Sequence, residues 1–247
     1  MKNIIDIIIL SLSVDNESFS KTKNCIDSYI QTADELIGKI YVVESNNNFD
    51  SSYDNKKVEI IKPGCEFNYN KFFNIALNKC KSKYIMGPNN DLVIQPNCIQ
   101  TLIDEFEKNP SISSLSPIDR KWHRHTKMYL PNDHKVYYGY DVSLHMFGCA
   151  FCCRREVFEK IGLLDERFYF FYQDNDYVMC LERNNLLHGV HTGARVSHNT
   201  GGTDEIAPER CKYTPKNMND QGDILHGKWK NEPFISGGYK KYKEYNI

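Results

Sequence analysis

The chain opens on an apolar run, residues 4–12 (IIDIIILSL), broken only by Asp6 and Ser11. A run of this kind reads as a strand buried on both faces, as in the middle of a parallel sheet. Phe19, Cys25, Ile26, Tyr29 and Ile30 then recur near the helical period and predict a helix over 18–30. Residues 39–44 (KIYVVE) and 58–61 (VEII) follow as strands, the second stopped by Pro63-Gly64. Phe72, Phe73, Ile75, Ala76 and Leu77 predict a helix over 70–79, and Tyr84, Ile85 and Met86 a fourth strand. Ile99, Leu102, Ile103 and Phe106 predict a helix over 96–108, with Pro96 near its first turn. This βαββαβα order implies an α/β fold with a mostly parallel central sheet flanked by helices. Ligands of such sheets bind outside the carboxyl ends of the strands. Glu44 and Asp91 both stand at such ends.

The second half has a different texture. Residues 119–139 (DRKWHRHTKMYLPNDHKVYYG) are polar, basic and aromatic without a clean period, which predicts a long loop or irregular hairpin. Residues 140–153 are strand-rich, and 154–161 form a short helix that Gly162 ends. A helix over 174–184 and short strands at 189–192 and 195–197 complete the pattern. Few apolar residues remain beyond that point, so 206–247 reads as a tail packed on the domain or partly flexible.

Composition narrows the class. At 247 residues, 40% hydrophobic and 26% charged, the chain fits one globular domain with a short appendage. A net charge of −1 gives no global field that would select a polyanion or an acidic membrane. The nine cysteines are odd in number and scattered, so they do not form a disulfide framework. Cys149-x-x-Cys152 has no second pair to complete a zinc site and reads as buried small hydrophobes. Free thiols and the lack of a leader sequence predict a cytoplasmic protein. The apolar run at 4–12 is too short to span a bilayer, so no transmembrane segment is expected.

Chemistry-bearing residues cluster in two places. The strand at 84–86 leads into Gly87-Pro88-Asn89-Asn90-Asp91. Downstream, Asp174 and Asp176 open a helix, and His198 follows the last predicted strand. A strand-end Asp, a pair of helix-start acids and a late His can converge on one metal and one phosphate-bearing substrate.

These pieces, in this order, resemble glycosyltransferase family 2. The first is Tyr41-Val42-Val43-Glu44-Ser45-Asn46 after the opening strand and helix, where the family has Asp-x-x-Ser. The second is 70–91, similar to the family's Asn-bearing helix, strand and "DxD" element. The third and most specific is GCAFCCRREVFEKIGLLDERF over 148–168. The fourth is Gln173-Asp174-Asn175-Asp176 in place of "EDxD", with His198 where the family has a late metal-binding His. Two departures stand out: the DxD element reads Asn-Asn-Asp, and EDxD begins with Gln.

The resemblance covers roughly 1–200 and implies a single GT-A domain over 1–205, with a nucleotide-sugar half (1–118) and an acceptor half (119–205). It implies an inverting, metal-dependent transfer from a nucleotide-diphosphate sugar to an acceptor hydroxyl. In that scheme Asp91 and His198 bind a divalent cation, and one imidazole with oxygen ligands favours Mn²⁺ over Mg²⁺. Asp174 is the general base, its pKa raised by the aromatic run Phe168 to Tyr172. Glu44, Lys71, Asn89, Asn90, Asp91, Gly148, Gln173 and Asp176 would contact donor or substrate.

Plainer readings exist for each. Asp91 can cap a turn, His198 can be a satisfied core histidine, and Glu44 can be a solvated loop acid. Lys71 can be a helix-surface lysine, Gly148 a strand bend, and Asp176 a helix-start acid favoured by the helix dipole. The basic, aromatic stretch Lys121-Trp122-His123-Arg124-His125 can close over the donor, meet the acceptor or simply face solvent. Lys228-Trp229-Lys230 with residues 237–243 can touch a polyanionic acceptor such as nucleic acid or an acidic membrane, or pack on the domain, which the net charge favours. The acceptor is open: a glycan, a lipid-linked precursor, a protein or a modified nucleic acid. Oligomeric state is likewise open. A nucleotidyltransferase would want a Gly-rich loop after the first strand, and Ser11-Leu12-Ser13-Val14-Asp15 has none. A non-catalytic sugar- or nucleotide-binding relative is the alternative that the two departures favour.

Overall fold

Every residue of β1 (Ile5–Ser11) except Leu10 is buried, so the strand has a neighbour on each side and a layer on each face. β2 (Ile37–Glu44) and β4 (Tyr84–Pro88) flank it in parallel, and β3 (Val58–Ile61) extends the sheet beyond β2. This is a computed structural model, and it describes residues 3–50, 52–125, 130–198 and 215–233.

The helices form where caps and apolar stripes coincide. α1 (Asn16–Ala33) starts at Asp15, whose carboxylate accepts from Ser18 N while the Ser18 hydroxyl returns a bond to the Asp15 backbone. α2 (Tyr69–Leu77) is capped by Asn68. α3 (Cys98–Lys108) begins after Pro96 rather than at it, because Asn97 takes the left-handed turn before the first helical residue. Ile5, Ile7 and Ile9 point with α1 and α3 into one core, while Ile8 points with Phe72, Phe73, Val178 and Leu181 into the other.

The second half of the sheet is mixed. β8 (Ala150–Arg154) lies antiparallel between β4 and β6 (Ile112–Ile118). β9 (Leu187–His198) runs parallel to β6, and β5 (Leu92–Ile94) and β7 (Val136–Tyr138) pair antiparallel with β9. The strand order is β3-β2-β1-β4-β8-β6-β9-β5, with β7 also on β9. The parallel arrangement read from the sequence therefore holds across the first four strands and again between β6 and β9.

Several elements differ from the sequence reading. β6 was not foreseen, because Ser114, Ser116 and Pro117 interrupt its apolar pattern. Both serines are buried, and their hydroxyls are paired with Tyr177 OH and Phe147 N. Residues 119–139 hold α4 (Arg120–His125) and β7, with 126–129 outside the described residues. Of the strand-rich 140–153, only the end is a strand. α5 (Val157–Ile161) is shorter than expected and ends at Gly162, whose φ is +78°. α6 spans Gln173–Arg183, and the two short strands after it are one strand, β9. Part of the supposed tail is a helix, α7 (Pro215–Trp229), which buries Leu225 and Trp229 against Phe168 and Met179. No helix among the described residues is long and apolar enough to cross a membrane.

Candidate active site

The topology gathers the candidate residues at one edge. β4, β6 and β9 run in the same direction, so the chain after β4 and the end of β9 reach the same side of the sheet. β5 then doubles back along β9 and pairs Leu92 with His198, which sets Asp91 next to that histidine. β8 enters from the opposite direction, so the residues before it, Gly148 and Cys149, arrive at the same edge. Asn89 N donates to Cys149 O at 2.8 Å and fixes the two turns together.

Asp91 and His198 form the first cluster. Asp91 is 8% exposed, and its Oδ1 lies 3.1 Å from His198 Nε2. The two form an ion pair, and neither Asp91 Oδ1 nor His198 Nδ1 has a further hydrogen-bond partner. Asp91 first, and the Cys149 thiol second, raise the imidazole pKa to about 10 against the opposing effect of burial. The Phe147 ring stands edge-on to the imidazole with centroids 6.4 Å apart. Asp119 Oδ2 accepts from His198 N at 2.7 Å and holds the end of β9.

These two side chains fit a divalent cation. Two adjacent corners of an octahedron with bonds near 2.1 Å lie roughly 3 Å apart, which matches the observed separation. Without a cation the pair stands as a carboxylate beside a protonated imidazole, and a bound cation would take the place of that proton. Among the described residues no third His, Cys, Asp or Glu completes a metal cluster. A cation held here would take its remaining ligands from substrate and water, as magnesium-type sites do.

Asp174 forms the second cluster. Tyr172 adopts a left-handed φ of +61° and turns the chain into α6, which leaves Gln173 and Asp174 in the first turn. Asp174 is half-buried, and burial raises its carboxyl pKa against the pull of backbone N–H groups. Its Oδ2 approaches Gly148 so closely that a Cβ there would sit 2.6 Å away. The Tyr69 phenol and the Cys149 thiol, pushed up chiefly by burial, are raised further by the Asp174 charge. The aromatic surroundings therefore differ from those expected, since Phe168 points away into the cluster with α7. Gln173 Oε1 is buried without a hydrogen bond.

Other expected residues serve the scaffold. Glu44 is fully buried, with Oε1 accepting from Ser13 N and Asn46 N and Oε2 from Ser13 Oγ. It ties the ends of β1 and β2 together, which fits neither direct binding of a base or ribose nor a solvated loop acid. Asp176 is 3% exposed, and both its oxygens are engaged by Lys228 and Trp229. This corrects its expected place among the substrate-binding residues: Asp176 holds α7. The same bonds turn Lys228 and Trp229 inward, away from any polyanion, while residues 237–243 lie outside the described residues.

Asn90 Nδ2 donates to Thr22 Oγ1 at 3.0 Å and anchors the turn to α1. Asn89 is half-buried at the same turn, and Lys71 is half-buried on α2 with no ion pair among the described residues. In α4, His123 is buried and bonded to the Asp119 carbonyl; the side chains of Trp122, Arg124 and His125 are outside the described residues. Sequence reasoning missed Cys149 and Asp119. For Cys149 the available signal was its place next to Gly148; nothing in the sequence marked Asp119.

Residues 12–162 match the family described as Glycosyl transferase family 2. No curated protein matches by sequence. GalNAc-T7, solved with UDP, GalNAc and Mn²⁺, superposes with a TM-score of 0.70 at 13% identity, over 99% of this chain and 50% of that one. S. aureus TarS 1–349 in complex with UDP-GlcNAc gives 0.65 at 10% identity, over 97% and 70% of the two chains. The mannosyltransferase PcManGT from Pyrobaculum calidifontis, solved with GDP-Man and Mn²⁺, gives 0.60 at 10% identity, over 92% and 69%. At these identities the likeness establishes the fold, which is GT-A, and the chain spans half the length of the GalNAc-T7 chain.

Proposed function

The chain belongs to glycosyl transferase family 2, and on that premise we propose that it moves a sugar from a nucleotide-diphosphate donor to an acceptor hydroxyl with inversion at the anomeric carbon. One observation carries the reading: the unsatisfied Asp91–His198 pair and the Asp174 carboxylate, raised in pKa, meet on either side of the Gly148-Cys149 turn.

Asp91 and His198 would hold a divalent cation, with Mn²⁺ favoured over Mg²⁺ because one ligand is an imidazole nitrogen. When bound, that cation neutralises the diphosphate as it leaves. Lys71 and the Asn89-Asn90 turn line the approach to the donor. Gly148 leaves room for the Asp174 carboxylate to lie against the backbone at the crevice. The acceptor oxygen bonds to the anomeric carbon as the bond from that carbon to the diphosphate oxygen breaks, and the acceptor proton passes to the Asp174 carboxylate. A base with a raised pKa takes that proton more readily than an ordinary aspartate. The free thiols of the described cysteines support a reducing compartment, in line with a cytoplasmic location.

Thermal-shift titration of the wild type and Asp91→Ala against UDP-GlcNAc, UDP-GalNAc and GDP-mannose, with and without Mn²⁺, tests the binding half. A Mn²⁺-dependent shift for at least one donor, lost in Asp91→Ala, is the expected result. Metal-independent shifts that survive in Asp91→Ala would favour a non-catalytic relative, the reading that Asn89, Asn90 and Gln173 suggest.

A further inference from the structure

The segment that delivers Asp174 is held from two sides. On one side α2 presents a row of asparagines to the backbone of 164–166. Asn68 Nδ2 donates to Glu166 O, Asn70 Nδ2 to Asp165 O and Asn74 Nδ2 to Leu164 O, at 2.7, 2.8 and 2.9 Å. Leu164 N returns a bond to Asn74 Oδ1 at 3.0 Å. Tyr69 N adds a bond to Tyr169 O at 2.7 Å.

On the other side stands α7. Gln221 is fully buried, and its Oε1 accepts from both Phe170 N and Phe171 N, at 3.0 and 3.1 Å. Lys228 Nζ bridges Asp165 Oδ2 at 3.0 Å and Asp176 at 2.9 Å. Trp229 Nε1 donates to Asp176 Oδ1 at 2.7 Å. Leu225 and Phe168, both fully buried, fill the space between. Burial works against the Asp165 carboxyl, yet Arg167 and Lys228 together hold it well below its ordinary range.

Helix geometry turns this clamp into control of the reacting carboxylate. Side chains two positions apart on a helix point roughly 200° apart. With Asp176 drawn onto α7, Asp174 is swung to the opposite side of α6, toward Gly148. The N-cap residue of α6, Tyr172, is left-handed and makes no side-chain cap; the local bond in that turn, from Asn175 N to Asp174 Oδ1 at 2.9 Å, engages one oxygen, while Oδ2 faces Gly148.

We propose that α7 is a positioning element for the reaction: Lys228 and Trp229, by holding Asp176, and Gln221, by holding the Phe170-Phe171 turn, set where the Asp174 carboxylate points. The inference rests on Asp174 being the general base. It also gives Asp176 a role in the motif that does not require contact with substrate.

Three variants separate the elements of the claim. Lys228→Met keeps the apolar stem and removes the charge. Lys228→Arg restores both ion pairs. Trp229→Phe keeps a ring and removes the indole N–H. Hydrogen–deuterium exchange on the full chain reads the clamp without any ligand: amides of 166–176 should exchange faster in Lys228→Met and Trp229→Phe, while those of β4 and β9 stay as in wild type. Steady-state nucleotide release with MnCl₂, from whichever of UDP-GlcNAc and GDP-mannose the wild type turns over, reads the consequence. Lys228→Met should lose about tenfold or more in kcat, with KM for the donor within about twofold, and Lys228→Arg should recover most of it.

Unchanged exchange over 166–176 in both variants overturns the clamp. Wild-type kcat in Lys228→Met and Trp229→Phe, with Asp174→Asn inactive, overturns the positioning role and leaves the base assignment standing. Wild-type kcat in Asp174→Asn sinks the base assignment itself, and the positioning claim with it, whatever the exchange pattern shows.

Discussion

Replacing Gly148 with alanine should separate catalysis from stability. The new Cβ would stand 2.6 Å from Asp174 Oδ2 and 3.4 Å from its Cγ. Restoring the first distance to the 3.4 Å of ordinary contact moves the carboxylate by about 0.8 Å. The obstructing atom is the free end of a side chain, so the fold gives way there cheaply and the expected loss of stability is below about 1 kcal/mol. A base displaced by about 1 Å from its working position costs on the order of a hundredfold in rate. Thermal unfolding and nucleotide release should therefore diverge: a melting temperature within roughly 4 °C of wild type, donor affinity unchanged, and kcat reduced about a hundredfold. Gly162 supplies the control. Its φ of +78° makes alanine strained although nothing crowds it. Gly162→Ala should cost about 1 kcal/mol of stability and leave kcat alone. A Gly148→Ala enzyme with kcat within about threefold of wild type would refute the argument, because Asp174 could then tolerate the shift its role forbids.

Three further outcomes follow from burial and pairing. Burial raises the Asp174 carboxyl pKa in the folded state, so the folded protein loses stability as pH rises from the unfolded value through the raised one. Asp174→Asn should melt above wild type at neutral pH, with the gap closing near about pH 3; a gap that does not change with pH contradicts this. His188, fully buried and pushed by burial from 6.5 down to about 3, stays neutral in the fold. Its contribution is present above pH 6.5 and is lost as pH falls toward 3, by up to about 5 kcal/mol. His188→Leu should flatten the urea stability profile over that range, and an equally steep profile in the variant rules the assignment out. Asn74→Ala strips both partners from the buried backbone of Leu164 and should cost about 1–3 kcal/mol; a melting temperature within about 1 °C of wild type means that water replaces them.

The parts of the fold legible in the sequence are those where burial alone dictates residue type. β1 and β2 are apolar because each is enclosed, β3 is a half-buried edge strand whose short apolar run Pro63-Gly64 bounds, and the positions of all three were read to within a few residues. β6 is just as enclosed, but Ser114, Ser116 and Pro117 hide it, because its polar groups are satisfied by partners far away in sequence. β9 read as two short strands with Gly193-Ala194 between them, and in the structure the strand is continuous but its register against β6 shifts at that place, from His191 opposite Pro117 to Arg195 opposite Ile118. α7 was invisible for a related reason: it is held by Gln221 and Lys228, polar residues that carry no apolar pattern, and among its described residues Leu225 and Trp229 are the large apolar side chains that are buried.

The same physics sorts the four acids that the sequence had placed together. Glu44 and Asp176 are buried and fully supplied with donors from the chain itself. A carboxylate engaged in this way at both oxygens holds backbone or helix in place. Asp91 and Asp174 stand at the crevice with fewer donors. Asp91 Oδ1 has the His198 imidazole as its ion-pair partner but no hydrogen bond, and Asp174 is desolvated and takes its hydrogen bond from the neighbouring backbone, Asn175 N to Oδ1. Leaving a buried polar group unpaired costs about 1–3 kcal/mol, more for a charge, and a fold keeps such groups chiefly where a ligand will supply the missing partner. Sequence places an acid at a strand end or a helix start; only the inventory of donors around it separates an anchor from a reagent. On that inventory the DxD and EDxD elements of this chain are each half scaffold and half chemistry: Asn90 and Asp176 fasten the crevice, and Asp91 and Asp174 are left to work in it.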